Sequence, residues 1–245
     1  MKETTWKALL ALGLAALGAG CGGGGDDEPV TAESAAGVWT GTTSTQRDMT
    51  AILLSDGRYY MVYAGVNAPS AVGGLVQGTA AYADGRFTSA DGVDFSLEGA
   101  GAAAGDIGAV LLPPFAVEGS LRGGTPTAVD FRLSRSPVSA TVPTLAALAG
   151  DYPGQVSFSL GTRAATFAVT SAGAVSSVIN ACNITGVVAP RSDINAYDLT
   201  ITFGGAPCVF PNLSFNGVAH HSGGRLVAAV RNTAIHQAIV FSGTR

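Results

Sequence analysis

The sequence predicts an all-β protein: two related antiparallel β halves, small barrels or sandwiches, behind a disordered N-terminal tether. Three observations predict it. Short apolar runs of strand length alternate with Gly, Asp, Asn and Ser turn signals along most of the chain. The 245 residues include 34 Gly, a content that suits turns and that helices do not tolerate. Finally, one ordered set of residues recurs later in the chain, as an internal repeat requires.

The chain opens with the parts of a signal peptide over residues 1–20. Lys2 and Lys7 make a positive start, Ala8 to Leu17 is an apolar run, and small residues lead to Cys21. The run is too short to span a bilayer, which takes about 20 apolar residues. Gly18-Ala19-Gly20-Cys21 resembles the lipobox of bacterial lipoproteins. The resemblance implies that Cys21 is acylated, with palmitate among its chains, and becomes the new N-terminus. Gly22 at the next position is similar to lipoproteins sorted to the outer membrane. Several acyl chains together hold a protein on a membrane where one holds it only weakly. Residues 21–36 then read as a lipidated, Gly-rich tether, because Gly22 to Glu28 carries nothing apolar to pack.

Strands follow in close succession. The first half, residues 37–138, has Gly37 to Thr43, Thr50 to Leu54, and a hairpin turn at Ser55-Asp56-Gly57 into Arg58 to Tyr63. Gly74 to Tyr82, Arg86 to Ser89, Asp94 to Leu97, Phe115 to Leu121 and Ala128 to Leu133 complete it. Gly99 to Gly105 reads as a loose connection, since it lacks the βαβ setting of a dinucleotide loop. Only Thr144 to Ala149 has helix-forming composition, enough for a turn or two. The second half, residues 139–245, restarts the pattern. Thr31 to Gly41 aligns with Thr144 to Gly154, Ala51 to Gly57 with Ala168 to Gly173, and Val129 to Ser134 with Ala238 to Gly243. Each half then holds about seven strands, as a small barrel or sandwich does.

Tyr59, Met61 and Tyr63 alternate with Tyr60 and Val62, so both faces of that strand are apolar. One face is expected to line a core and the other to meet the partner half. Tyr59, Met61 and Tyr63 are the candidate ligand-facing set. Cys182 and Cys208 form the remaining cysteine pair of an exported chain, where a disulfide is the default. Closing a loop of about 27 residues is worth roughly 3–4 kcal/mol in the chain-entropy model. Gly37-Val38-Trp39 resembles the Gly-x-Trp opening of lipocalins and related calycin barrels. The whole plan is similar to Gram-negative surface lipoproteins, such as factor H binding proteins and transferrin-binding protein lobes, in its lipidated cysteine, Gly-rich tether and β-barrel domains.

Catalytic and metal chemistry find no pattern to rest on. Adjacent His220 and His221 point to opposite faces of a strand, and His236 lies a strand's length from His221, so no metal site is expected. Gly-x-Ser-x-Gly, His-Glu-x-x-His and Ser-x-x-Lys are absent from the sequence. Asp91-Gly92-Val93-Asp94 could pair two carboxylates but reads more simply as a turn followed by a strand. Removing residues 1–20 takes Lys2, Lys7 and Glu3 with it, so 13 basic and 17 acidic residues become 11 and 16, a net charge of −5. All eleven bases are Arg, without clusters, which argues against nucleic acid as a partner. Strands this short and Gly-broken do not suit a transmembrane barrel.

These features predict an outer-membrane lipoprotein acting as a non-enzymatic tethered binding or interaction module, without cofactors. Its partners would be the membrane, through the lipid anchor, and an unidentified protein or small-molecule ligand. A calycin-like carrier of a small apolar ligand in the periplasm is the alternative, and a hydrolase ranks last. The anchor is directly testable. Cys21→Ala should move most of the protein from the membrane to the soluble fraction, and continued sedimentation with membranes would exclude the lipid tether.

Overall fold

The computed structural model describes residues 31–112, 116–123 and 125–245; the expected signal peptide (1–20), the expected lipidation site Cys21 and the expected tether as far as residue 30 lie outside them. The described chain forms two eight-stranded antiparallel barrels, each an up-and-down meander. The first contains α1 (Ala32–Ala35), β1 (Gly37–Thr43), β2 (Asp48–Leu53), β3 (Arg58–Gly65), β4 (Ala68–Thr79), β5 (Ala81–Ala83), β6 (Arg86–Ser96), β7 (Gly101–Leu112), β8 (Ala116–Gly123) and β9 (Thr125–Arg135). Both β4 and β5 pair with β6, so they act as one strand interrupted at Ala80, and β1 pairing with β9 closes the ring. The second contains α2 (Leu145–Leu148), β10 (Gly150–Phe158), β11 (Gly161–Val169), β12 (Ala174–Ile179), β13 (Cys182–Pro190), β14 (Tyr197–Phe203), β15 (Ser214–Ser222), β16 (Arg225–Asn232) and β17 (Gln237–Thr244). Here β10 pairs with β17. Closure leaves neither sheet with a long open edge, the usual hazard of an antiparallel sheet.

The two barrels are shut at one end by the same device. Thr31 and Thr144 cap the short helices through their hydroxyls, which accept from the backbone N–H of Ser34 and Ala147. The aromatic residue of the first strand then reaches back: Trp39 Nε1–H donates to the Ala35 carbonyl at 3.1 Å, and Tyr152 Oη to that of Leu148 at 2.7 Å. An arginine at the end of each barrel lies over that ring. Arg135 is 5.5 Å from the Trp39 centroid and donates to Ala36 O; Arg245 is 5.5 Å from the Tyr152 centroid and donates to Ala149 O. Arg245 also donates to Ala147 O at 2.8 Å. The glycine between helix and ring makes room. Gly37 and Gly150 have φ of +156° and +147°, and a Cβ there would stand 3.1 Å from Arg135 Nε or 3.0 Å from Arg245 Nη1.

The hairpin turn after the second strand also recurs. Gly57 N–H donates to Leu54 O and Gly173 N–H to Thr170 O, with both glycines at positive φ. The terminal strands match at a register one residue from the sequence alignment. Inward Phe131 corresponds to inward Phe241, and Arg135 to Arg245, an offset of 110 rather than 109. The alternation of strands into two apolar faces is accounted for throughout β3. Tyr59, Met61 and Tyr63 enter the first barrel's core, while Tyr60 and Val62 join Ile52, Leu75 and Phe95 against Val218, Val227 and Val240 of the second barrel.

Between the barrels, buried polar groups set the register of this apolar contact. Ser139, in the connection, accepts from Val38 N–H at 2.9 Å through its hydroxyl and from Asn195 N–H at 3.0 Å through its carbonyl. The Asn195 side chain donates to Val138 O, and its carbonyl accepts from His220 Nδ1 at 2.8 Å. At the edge, Ser55 donates to Asp193, which also pairs with Arg191. Buried and satisfied in this way, such a network favours one docking geometry over its neighbours.

Four sequence expectations are corrected. Gly101–Leu112 is a twelve-residue strand, not a loose connection; its small residues follow a period of two that carries little apolar signal. Each barrel has eight strands rather than about seven, and in the first Gly101–Leu112 is among them. Asp91-Gly92 is not a turn but part of a bulge within β6. Residues 31–36, assigned to the tether, instead carry α1 and bury Ala35 and Ala36.

Arg135→Ala and the more exposed Arg245→Ala should each destabilise the fold by about 1–2 kcal/mol, from the cation–π contact and charge-assisted hydrogen bonds together. Urea unfolding reads this, and lysine should rescue poorly because it cannot both stack and fork. Near-zero losses in both variants would remove the clasp from the account.

Candidate functional site

At the end opposite the clasp the two barrels differ. The connection between β14 and β15, residues 204–213, is ten residues long and folds over the second barrel. Cys208 in this loop is bridged to Cys182 at the start of β13, with Cα atoms 4.6 Å apart. The loop carries Phe210 into contact with Phe158, Phe203 and Phe215, at ring-centroid distances of 6.1, 5.5 and 5.2 Å. The interior beneath is filled by Phe167, Phe241, Ile201 and Leu199. A depression of about 200 Å³ remains beside Leu160, Val209 and Phe210.

The corresponding connection in the first barrel, residues 97–100, is four residues long and sets only Glu98 and Ala100 at the rim. The inward pairs below it are also smaller. Where β14 and β15 place Ile201 opposite Phe215, β6 and β7 place Asp94 opposite Ala103 and Ser96 opposite Gly101. The result is a cavity of about 380 Å³ in the mouth of the first barrel, within the usual range for small-molecule sites. Met49, Leu121, Val129 and Phe131 supply apolar wall, and Tyr63 and Asp94 a polar floor. A wider space of about 650 Å³ along the outward faces of β1, β7, β8 and β9 is an open surface groove.

The bulge in β6 is what turns Asp94 inward. Phe87 and Ser89 face the lumen, and regular alternation would continue with odd positions, putting Phe95 inside. The register shift between Ser89 and Gly92 reverses the parity, so Asp94 and Ser96 enter the lumen while Phe95 and Leu97 join the contact between barrels. Asp91 holds the bulge by accepting from Thr79 N–H at 2.8 Å and from the Ser89 hydroxyl at 3.0 Å.

Tyr63 Oη donates to Asp94 Oδ1 at 2.8 Å. Its ring lies against β4 at Gly74, where a Cβ would come within 2.2 Å of the phenol. The Arg47 guanidinium is 5.4 Å from the centre of the same ring and pairs with Glu98 at 2.6 Å. Glu98 also accepts from Val66 N–H at 2.8 Å. The rim is thus strapped by an ion pair, whereas Asp94 below it has no cationic partner within bonding distance among the described residues. Burial raises the Asp94 pKa, outweighing the Tyr63 hydrogen bond and the Arg47 charge that lower it. Tyr63 is pushed up strongly by burial and then by the negative charge of Asp94.

Of the three residues singled out on β3, only Tyr63 lines the cavity. Tyr59 and Met61 lie below it in closed packing; Tyr59 Oη meets Ser89 Oγ at 2.9 Å, and burial pushes its pKa up to about 12. Arg47, Asp94 and Glu98 were not legible as a set, since they come from two loops and a bulged strand. The histidines stand apart. His220 is buried between the barrels, His221 packs edge-on against Tyr152 at 5.7 Å, and His236 sits in the β16–β17 turn. Burial lowers the pKa of both His220 and His221. Among the described residues no group of three or more His, Cys, Asp or Glu is placed to hold a metal ion.

No protein-family model matches this chain, and no curated protein matches it. Among solved structures, one similar chain is the isotype 1 transferrin binding protein B of serogroup B Neisseria meningitidis. It has 11% sequence identity and a TM-score of 0.30 over 80% of this chain and 65% of that one. A likeness of that size carries no argument, and this chain spans less than two thirds of that protein's length.

The carboxyl of Asp94 favours its protonated form more in the folded than in the unfolded state. Its ionised form therefore costs stability above the raised folded pKa. That cost disappears as pH falls toward the unfolded value of about 3.9. Asp94→Asn, which keeps an acceptor for Tyr63, should accordingly be more stable than wild type at pH 7, with the gain shrinking at acidic pH. Chemical unfolding across pH 4–8 checks this; a variant less stable at pH 7 would contradict it.

Proposed function

We propose that this chain is a lipid-anchored outer-membrane lipoprotein and a non-enzymatic binding module, whose ligand seat is the mouth of its first barrel. In this reading residues 1–20 are removed, Cys21 carries the acyl chains, and residues 22–30 hold the two barrels off the membrane. The observation that carries the binding role is the unequal filling of two related barrels. The second is packed with aromatic rings under a disulfide-pinned loop, while the first keeps a cavity of about 380 Å³ at the same end. An empty space in a core costs stability, and a half-buried carboxylate with no cation bonded to it adds to that cost. Two such costs at one place fit a site retained for a ligand. The second barrel then serves as a rigid support, joined through the apolar contact and the Ser139–Asn195–His220 network.

Docking of another protein is a second reading. It is favoured by Leu160 and Val209, which stand 65% and 50% exposed beside the half-buried Phe210 at the mouth of the second barrel.

The ligand seat is tested with the neutral fluorescent probe N-phenyl-1-naphthylamine and the soluble Cys21→Ala chain. Binding should be saturable, and Ala103→Trp, which fills the cavity from β7, should weaken it at least tenfold. Ala104→Trp, on the outward face of the same strand, should leave it within twofold. Equal binding by all three proteins would remove the mouth of the first barrel as the site.

A further inference from the structure

Resting on the reading of this mouth as a ligand seat, we infer that the ligand is a small amphipathic amine. Its protonated nitrogen would sit against Asp94 and Tyr63, with its apolar body along Met49, Leu121 and Phe131.

The charges of the cavity point this way. It contains two carboxylates and one guanidinium. Arg47 is committed to Glu98 at 2.6 Å, to the Ala64 carbonyl at 3.4 Å and to the face of Tyr63. It therefore has little to offer an anionic ligand without breaking the strap. Asp94 has one hydrogen bond, from Tyr63, which occupies Oδ1. Because the Tyr63 hydrogen is spent on that bond, the phenol faces the cavity with acceptor capacity only, which it shares with the neighbouring Ser96 side chain. Carboxylate and phenol oxygens together form an acceptor pair in apolar surroundings, and an ammonium with three donors is complementary to both. A fatty-acid carboxylate would meet like charge at the same spot, a mismatch that discriminates strongly in a desolvated site. The bulge supports the assignment independently. It places the acid in the lumen and the neighbouring phenylalanine outside, although regular alternation would do the reverse.

Binding of this kind depends on pH through the state of Asp94. The titratable and charged groups facing it are Tyr63 from β3, Arg47 from the β1–β2 turn and Glu98 from the β6–β7 turn. The inward residues of β7, Gly101 and Ala103, carry no charge. Burial favours the neutral acid, so acidification should remove the partner of the ammonium before it affects the apolar contacts.

The test is displacement of N-phenyl-1-naphthylamine from the soluble Cys21→Ala chain by octylamine, octanol and octanoate at pH 7.5. Octylamine should displace the probe at a concentration at least tenfold lower than either of the others. In Asp94→Asn the amine's advantage should shrink to within threefold while the probe still binds. Should that variant fail to fold, the parent chain decides: octylamine affinity should fall between pH 7.5 and pH 4 while octanol affinity holds. Lysophosphatidylethanolamine separates the two sources of an amine. Displacement as effective as that by octylamine assigns a lipid headgroup, and weak displacement a free amine. Octanoate equal to or better than octylamine would overturn the inference while leaving the cavity in place. Failure of the probe to bind at all would instead sink the ligand seat itself.

Discussion

Each barrel is held shut by an arginine from the end of the chain segment that closes it, laid over the aromatic residue of its first strand. Arg135 on Trp39 and Arg245 on Tyr152 tie last strand to first and occupy carbonyls at the ends of α1 and α2. A helix end leaves carbonyls without intrahelical partners, and a guanidinium can satisfy these while its face stays on the ring. The glycine two residues before each aromatic residue suits this packing, since its φ is positive and a Cβ there would stand only 3.0–3.1 Å from the guanidinium. With one end of each barrel fixed in this way, the opposite ends are free to diverge.

They have diverged through loop length and through one bulge. A ten-residue loop, pinned by Cys182–Cys208, drops Phe210 onto the second barrel and completes an aromatic core. The four-residue loop at the equivalent place in the first barrel cannot reach inward, and the residues beneath it are small or polar. The bulge in β6 does two jobs with one inserted residue. It delivers Asp94 to the lumen, and it delivers Phe95 and Leu97 to the contact between barrels. Site and interface are therefore linked: straightening β6 would expel the acid from the cavity and strip the interface of two large side chains.

Much of the fold was legible in the sequence because it rests on local patterns. Gly37-Val38-Trp39 and Gly150-Asp151-Tyr152 mark the same structural position, as do the turns at Gly57 and Gly173. The two apolar faces of β3 announced both a barrel interior and a partner half. The strand Gly101–Leu112 was hidden because its first half, Gly101 to Asp106, is Gly and Ala with one acid and has no large apolar residue, although that same smallness keeps the cavity open. The site was less legible. Asp91-Gly92 has the composition of a turn, and only its pairing partners across β4 and β7 make it a bulge. Arg47 and Glu98 are distant in sequence and become neighbours through barrel closure alone.

Two related barrels are filled differently: the second is packed with aromatic rings, and the first keeps a cavity at its mouth. A crystal structure of the soluble chain grown with N-phenyl-1-naphthylamine tests most directly whether that cavity receives a ligand. One bound molecule is expected in the first barrel, between Tyr63 and Phe131, with an unchanged aromatic core in the second. A molecule lodged under the disulfide-bonded loop instead, with the first mouth collapsed or empty, would contradict that expectation.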